Sequence, residues 1–257
     1  MKINGYICFD LETSGLFDES DQSNEQKAPV VYCAVTCIMQ KIHDGQFDIK
    51  ERVCWAPPLD TSPCTCNTHI LSEMVAYMDK HTQAGYIPLG WNSVGFDFKV
   101  LWHWMPTNSA REQVKAMAWN SIDPMLNFFM LKGFPVALNS VARAMTPGFC
   151  KNGSGKEMSE QWELGTPEQR HVVIKYCERD VDVLATVVSA MEHAKEIRWV
   201  TKRTGKIARC KPDDPCQLSM LAVTAADLPH PDNSWMSDDR PLLNNFIGWL
   251  RPQAFVQ

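Results

Sequence analysis

Residues 6–15, YICFDLETSG, wrap an apolar run around two carboxylates, Asp10 and Glu12. The run has the make-up of a buried strand, and side chains two apart in a strand leave the same face. Two like charges therefore share one side of a buried element, and the surrounding fold must bring something that neutralises them. That requirement limits what this chain can become more than any bulk property does.

The neighbouring pattern supplies a frame. Residues 4–12 read as a strand and 16–28 as a polar, aperiodic loop. PVVYCAVTCIMQ (29–40) and FDIKERVCWA (47–56) read as two more strands, turning through KIHDG. Three such strands in succession make an antiparallel meander. After the Pro-rich loop PPLDTSPCTCNT, HILSEMVAYMDKH spaces Ile70, Leu71, Met74, Val75 and Met78 along one helical face. YIPLGWN is a short buried strand, and FDFKVLWHWM opens a helix after NSVG. SIDPMLNFFMLKG starts another, with Asp123 as N-cap and Pro124 at the first helical position. ALNSVARAM is a further short helix. The best-marked helix begins at Thr166, with Pro167 next and Gln169 completing a capping box, and runs to about residue 195. This order predicts an α/β or α+β domain with a mixed sheet. Beyond residue 196, RWVTKRTGKIARC predicts a hairpin turning at Thr204 and Gly205, followed by Pro- and Asp-rich loops and a last helix, RPLLNNFIGWL. The chain is thus expected to divide into a domain over 1–196 and a C-terminal extension over 197–257 packed on it.

The 257 residues, 45% hydrophobic and 21% charged, have an ordinary globular composition. No stretch approaches the roughly 20 apolar residues of a membrane span, and the N-terminus lacks signal-peptide organisation. A cytoplasmic protein without a membrane partner is expected. A net charge of −5 argues against simple coating of nucleic acid, without excluding an enzyme that meets it locally. The ten cysteines fall below the density of a disulfide scaffold. Cys8, Cys33, Cys37 and Cys177 lie in apolar stretches, whereas Cys64, Cys66 and His69, with Cys210 and Cys216, read as surface groups. Their C-x-C and C-x5-C spacings match zinc ligation poorly, and free thiols are the expectation.

Asp-x-Glu alone is a chance-level pattern, equally at home at an ordinary polar strand end. Two further stretches give it a context. GWNSVGFDFKVL runs a strand into Asn92 and opens a helix near Asp97, an acid that alone reads as a helix cap. YCERD places Tyr176 and Asp180 four apart, on one helix face. This order of residues resembles the DEDD, or DnaQ-like, superfamily of 3′→5′ exonucleases. FDLETSG is similar to its first motif, NSVGFD to its second and YCERD to its third, over residues 4–195. One branch of that superfamily activates water with a His five residues before the last Asp, the other with a Tyr four before it. Here Lys175 stands five before Asp180 and Tyr176 four before, while the competing register on Asp182 offers only Cys177 and Glu178. The chain therefore resembles the Tyr branch, which includes the proofreading domains of family A and family B DNA polymerases. The resemblance implies a ribonuclease H-like mixed central sheet, a three-strand antiparallel meander plus parallel strands, flanked by helices. With no polymerase domain following, it implies a free-standing nuclease or a subunit working beside a replication or repair protein.

Cleaving a phosphodiester demands stabilisation near the top of the enzymatic range of roughly 8–23 kcal/mol, and one general base supplies only ~3–5 kcal/mol. Two divalent cations ~3.5–4 Å apart can activate water, clamp the phosphate and stabilise the leaving oxygen. Hard cations such as Mg²⁺ or Mn²⁺ take carboxylate oxygens. Without them, carboxylates ~4 Å apart repel by about 4 kcal/mol at an effective dielectric of about 20. The resemblance assigns Asp10 as the bridging ligand, Glu12 and Asp180 to the first cation and Asp97 to the second. It assigns Tyr176 to orienting the attacking water, the work of a hydrogen-bonding positioner, since a phenol ordinarily titrates near pH ~10. The backbone of Leu11, Thr13 and Ser14 would approach the 3′-terminal nucleotide, and Asn92 either contacts substrate or stabilises its own turn. The implied substrate is a single-stranded 3′ end, DNA on the strength of the Tyr-branch resemblance. An exoribonuclease, a non-catalytic nucleic-acid-binding domain and a zinc-stabilised interaction protein remain open alternatives. Two softer signals stay open as well. KEIRWVTKRTGKIARCK (195–211) carries seven Lys/Arg and one acid, the pattern of a solvated face or of a surface that holds phosphates. The tryptophans of GWN and LWHWM suit either the core or stacking on bases.

Overall fold

The computed structural model describes residues 3–17, 28–43, 46–150, 153, 155–211 and 246–250. Strands β1 (Gly5–Thr13), β2 (Val31–His43) and β3 (Gln46–Trp55) form the antiparallel meander. The β2–β3 pairing runs into the KIHDG stretch, with Lys41 and His43 finding ladder partners in Phe47 and Gln46, and residues 44–45 lie outside the described residues. Helix α1 (Thr68–Gln83) then carries the chain across to β4 (Tyr86–Leu89), which pairs in parallel with β1. The result is an α/β fold with a mixed four-stranded sheet of order β3-β2-β1-β4. Among the described residues its parallel part is this one short strand, prolonged by a bridge between Leu89 and Ile122.

Helices cover both faces of the sheet. Ile7, Phe9 and Leu11 of β1 pack with α1, α2 (Asp97–Trp104), α3 (Asn108–Trp119) and part of α4 (Pro124–Lys132). Tyr6 and Cys8 pack with Cys37 and Met39 of β2 under α5 (Leu138–Met145), α6 (Gly155–Glu163) and α7 (Pro167–Ala194). Burial on both sides, at ~1.5–3 kcal/mol for each large apolar side chain, makes β1 the most constrained element of the fold. Helices α3 and α6 go beyond what the periodicity predicts. In α3 the buried stripe is narrow, Val114, Met117 and Ala118, behind a Thr107 cap that accepts from Ala110 N–H. In α6 only Met158 and Trp162 are buried. The Trp162 ring stacks on Tyr32 at 5.4 Å.

Helix α7 starts with the reciprocal Thr166–Gln169 capping box and ends at Lys195 in a left-handed conformation (φ 52°). The chain then forms the hairpin β5 (Ile197–Val200) and β6 (Ile207–Cys210), whose turn contains Thr204 and Gly205. Of the last predicted helix, residues 246–250 are described. Trp249 in this segment donates its indole N–H to Val94 O (2.8 Å). Most of the predicted polar loop over 16–28 and the loops after residue 211 lie outside the described residues. Among the described residues no helix is long and apolar enough to cross a membrane.

Candidate active site

Tyr6, Cys8, Asp10 and Glu12 are the even-numbered residues of β1 and share its α7-facing side. This face is apolar where the strand begins and acidic at its carboxyl end, the end where ligands bind in open α/β sheets. Glu12 is buried and Asp10 half-buried. The β1–β2 ladder slips register between Glu12 and Thr13, so the regular pairing stops where the acids are.

A third acid arrives from the opposite side of β1. Asp97 is the first residue of α2 and is 5% exposed. Its carboxylate accepts from the backbone N–H groups of Leu11 and of Asp97 itself. Burial, and next the neighbouring Asp10, push its pKa well above the usual carboxylate range. A second buried acid holds the approach to Asp97. Asp123 caps α4 through Leu126 N–H (3.1 Å) and also accepts from Asn92 N–H (3.0 Å) and Val94 N–H (3.1 Å). Burial raises Asp123 to about 6 against these donors. Asn92 takes a left-handed conformation (φ 62°), which Asn tolerates better than most residues. Gly95 closes the turn, because a Cβ there would lie 2.6 Å from Asn92 Oδ1 and 2.8 Å from the Phe246 ring.

The third contribution comes from α7. Tyr176 and Asp180 lie one turn apart, and Asp180 is 2% exposed. Between them Cys177 faces β1, with Sγ 3.5 Å from the Asp10 carbonyl oxygen and 4.0 Å from Asp10 Oδ2. Ligand atoms of Asp10, Glu12 and Cys177 fall within 4.8 Å of one another. Burial, the Cys33 thiol and then Asp10 and Glu12 all push the Cys177 pKa up, so it stays a thiol that donates to Asp10. Asp182 instead forms an ion pair with Arg52 of β3. It is therefore Asp180 that the helix register turns towards the β1 acids.

Asp10 and Asp180 separate two cavities. One, of about 690 Å³, is lined by Asp10, Glu12, Tyr176 and Asp180, with Leu11, Thr13 and Ser14 along it and Lys156 and Ser159 of α6 forming part of its wall. The other, of about 520 Å³, shares Asp10 and Asp180 and adds Asn92, Trp91, Val136, Leu138 and Lys202. Eight of the nine residues singled out in the sequence line one or the other. Asp97 lines neither, and meets the cluster through Leu11 N–H and Asp10. Ser14 has its N–H committed to Val30 O (2.9 Å), and its hydroxyl accepts from Val30 N–H (3.0 Å). Asn92 serves the turn and also lines the second cavity.

One sequence reading changes. Cys64 and Cys66, read as surface groups, are buried. Their loop folds against the core, Cys66 Sγ lying 3.5 Å from Tyr32 O and from Trp55 O while Trp162 N–H donates to Cys64 O (2.6 Å). His69 is exposed beside Glu73, and Cys216 lies outside the described residues. Of the tryptophans, Trp91 lines the second cavity and donates to Val136 O (2.9 Å), whereas Trp104 is tied to Pro29 O (2.9 Å). Sequence reasoning missed the reach of Asp123 and the contact of Cys177 with Asp10. The first was visible only as a helix cap, the second only as an apolar position on α7. No family model matches this chain, and no curated protein matches it.

Proposed function

We propose that the protein is a 3′→5′ exonuclease of the Tyr branch of the DEDD superfamily, built on a ribonuclease H-like fold. It removes nucleotides from the 3′ end of single-stranded nucleic acid, DNA by preference, acting in the cytoplasm alone or beside a replication or repair protein. The observation that carries this reading is the meeting of Asp10, Glu12, Tyr176 and Asp180 at one cavity, with Asp97 behind Asp10. Segments some 170 residues apart supply them, and an ordinary strand end would need no such gathering.

The donor set fits hard divalent cations. The groups that act on the Asp97 carboxyl are other carboxylates and backbone N–H groups, so its charge calls for a cation. Oxygen donors of this kind suit Mg²⁺ or Mn²⁺. In this reading Asp10, Glu12 and Asp180 would hold one ion, and Asp97 with Asp10 the second. Bound there, the ions would lower the pKa of water and offset charge on the phosphate and the leaving oxygen.

The chain's own groups do the rest. The Tyr176 hydroxyl, one turn before Asp180, orients the attacking water. Cys177 donates towards the Asp10 carbonyl oxygen and lies 4.0 Å from its carboxylate, steadying the residue that would serve both ions. Leu11 N–H holds Asp97, and the Leu11–Ser14 segment borders the cavity that takes the 3′-terminal nucleotide. Lys156 and Ser159 close the cavity from the α6 side.

The test incubates 5′-labelled single-stranded DNA and RNA with the protein and Mg²⁺ or Mn²⁺. Stepwise shortening from the 3′ end, abolished by EDTA and by Asp10→Ala, is expected, with DNA shortened faster than RNA. Equal degradation by the Asp10→Ala protein would sink the site assignment, and faster cleavage of RNA would make the enzyme an exoribonuclease.

A further inference from the structure

The basic stretch over 195–211 is a sequence signal that the proposed reaction leaves unused, and the structure gives it a place. It folds into the β5–β6 hairpin, in which Arg198 stands directly opposite Arg209. Like charges facing each other across a two-stranded sheet are destabilising. Glu196 forms an ion pair with Arg198 and so answers one of these charges. Lys202, Arg203, Lys206 and Arg209 are exposed and take part in no ion pair among the described residues.

The hairpin is also held in one position. Trp199 packs edge-on against Phe128 at 4.9 Å and Phe134 at 6.2 Å. Arg198 N–H lies 3.3 Å from the Met145 sulfur. Thr201 and Lys206 close the turn, Thr201 N–H donating to Lys206 O (2.9 Å), with Thr201 and Thr204 hydroxyls 2.5 Å apart. From this mount Lys202 lines the 520 Å³ cavity together with Asp10 and Asp180. Ala137, the N-cap of α5, and Leu138, its first residue, line the same cavity, and the Ala137 side chain makes no capping bond. The positive end of the helix dipole thus adds to Lys202 on that wall.

We propose that the β5–β6 hairpin is the surface along which the phosphodiester backbone of the single strand runs as it enters the cleft. Lys202 contacts the phosphate nearest the acids, and Arg203, Lys206 and Arg209 contact those farther out. A solvated face would not need a tryptophan anchor or a lysine in the cavity wall, and the −5 net charge of the chain makes a local basic surface necessary for holding a polyanion. The inference rests on the exonuclease reading and deepens it.

The test measures binding of 5′-fluorescein oligothymidylate and oligouridylate 20-mers by anisotropy in EDTA, so that no strand is cut. Wild-type protein is compared with the triple variant Lys202→Ala, Arg203→Ala, Lys206→Ala across a range of salt. Each phosphate contact on a single strand contributes about 0.7 to the salt slope, so loss of three contacts lowers it by about 2 and weakens binding at least about tenfold. A matching thermal midpoint shows that the variant is folded, and Arg209→Ala alone lowers the slope by about 0.7 as a second reading. A triple variant with wild-type affinity and slope, in a protein that still shortens 3′ ends, overturns the hairpin and leaves the exonuclease standing. Weaker binding with an unchanged slope overturns it too, since phosphate contacts would not be what was lost. A wild-type protein that neither binds nor shortens either strand overturns both.

Discussion

Two buried aspartates beyond the Asn92 turn, Asp97 and Asp123, meet burial in opposite ways. Asp123 is surrounded by backbone donors from Asn92, Val94 and Leu126, and its carboxylate joins that turn to α4. Asp97 has the N–H groups of Leu11 and of its own residue, and its next neighbour is a second carboxylate, Asp10. Both are pushed up first by burial, Asp123 to about 6. A buried acid whose lone pairs are answered by backbone donors is a structural joint. A buried acid set against other acids is a site that lacks its counter-charge. Substitutions should therefore separate the two regions, one governing activity and the other stability.

The largest effect belongs to Asp10→Ala. Residues that only support a metal already cost ~10–100-fold when changed, so loss of a shared ligand should lower the rate of 3′-end shortening at least about a hundredfold. The metal-free melting temperature should not fall, since the substitution removes repulsion rather than a joint. A metal-free protein that melts well below wild type would erase the contrast with Asp123.

Asp123→Ala is the converse. It strips the acceptor from three backbone N–H groups, at ~1–3 kcal/mol for each group left buried and unsatisfied, some of which water will recover. A loss of roughly 3 kcal/mol in urea unfolding is expected, with activity falling only as far as the Asn92 turn relaxes. Stability unchanged to within about 0.5 kcal/mol would show that the joint is not one.

Asp123 also sets a pH dependence. In the folded chain it keeps its proton to about pH 6, whereas an unfolded Asp loses it near pH ~4. The folded state binds the extra proton within that window, so this group's share of stability falls as pH rises from about 4 to about 6. At 1.36 kcal/mol per pH unit the fall reaches up to about 3 kcal/mol. Unfolding free energies at pH 4, 5 and 6 should fall less steeply in Asp123→Asn, where Asp97 alone keeps its raised pKa, than in wild type, and parallel curves would refute it.

The smallest effect sharpens the register of α7. Arg52→Ala breaks the ion pair with Asp182, in which both side chains are about a third exposed, so it should cost under about 1 kcal/mol and leave strand shortening intact. A large loss of activity would mean that Asp182, two residues beyond Asp180, belongs to the cleft after all.

The parts of this arrangement that were legible in the sequence were those with a local period. The period-two placement of Asp10 and Glu12 and the one-turn spacing of Tyr176 and Asp180 follow from strand and helix geometry, and the structure turns both pairs towards the same cavity. The Thr166 cap and the Thr204–Gly205 turn were equally local. What escaped was carried by long-range contact. Asp123 announces itself as a cap for α4, but its bonds to residues 29 and 31 positions upstream leave no local trace. Cys64 and Cys66 sit among Pro, Ser and Thr and look exposed, until Trp162, nearly a hundred residues later, closes over the loop. Helices α3 and α6 bury only two or three side chains each, too few to stand out from their polar surroundings.

The central claim is that Asp10, Glu12, Asp97 and Asp180 form a cage for divalent cations. Electron paramagnetic resonance of a Mn²⁺ titration counts free ion directly, and so reports the ions held per chain without reference to any substrate. About two Mn²⁺ bound per wild-type chain, reduced in Asp180→Ala and lost in Asp10→Ala, with Asp123→Asn unchanged, is the result this account predicts. Equal Mn²⁺ binding by wild type and Asp10→Ala, or none by wild type at millimolar metal, would contradict it.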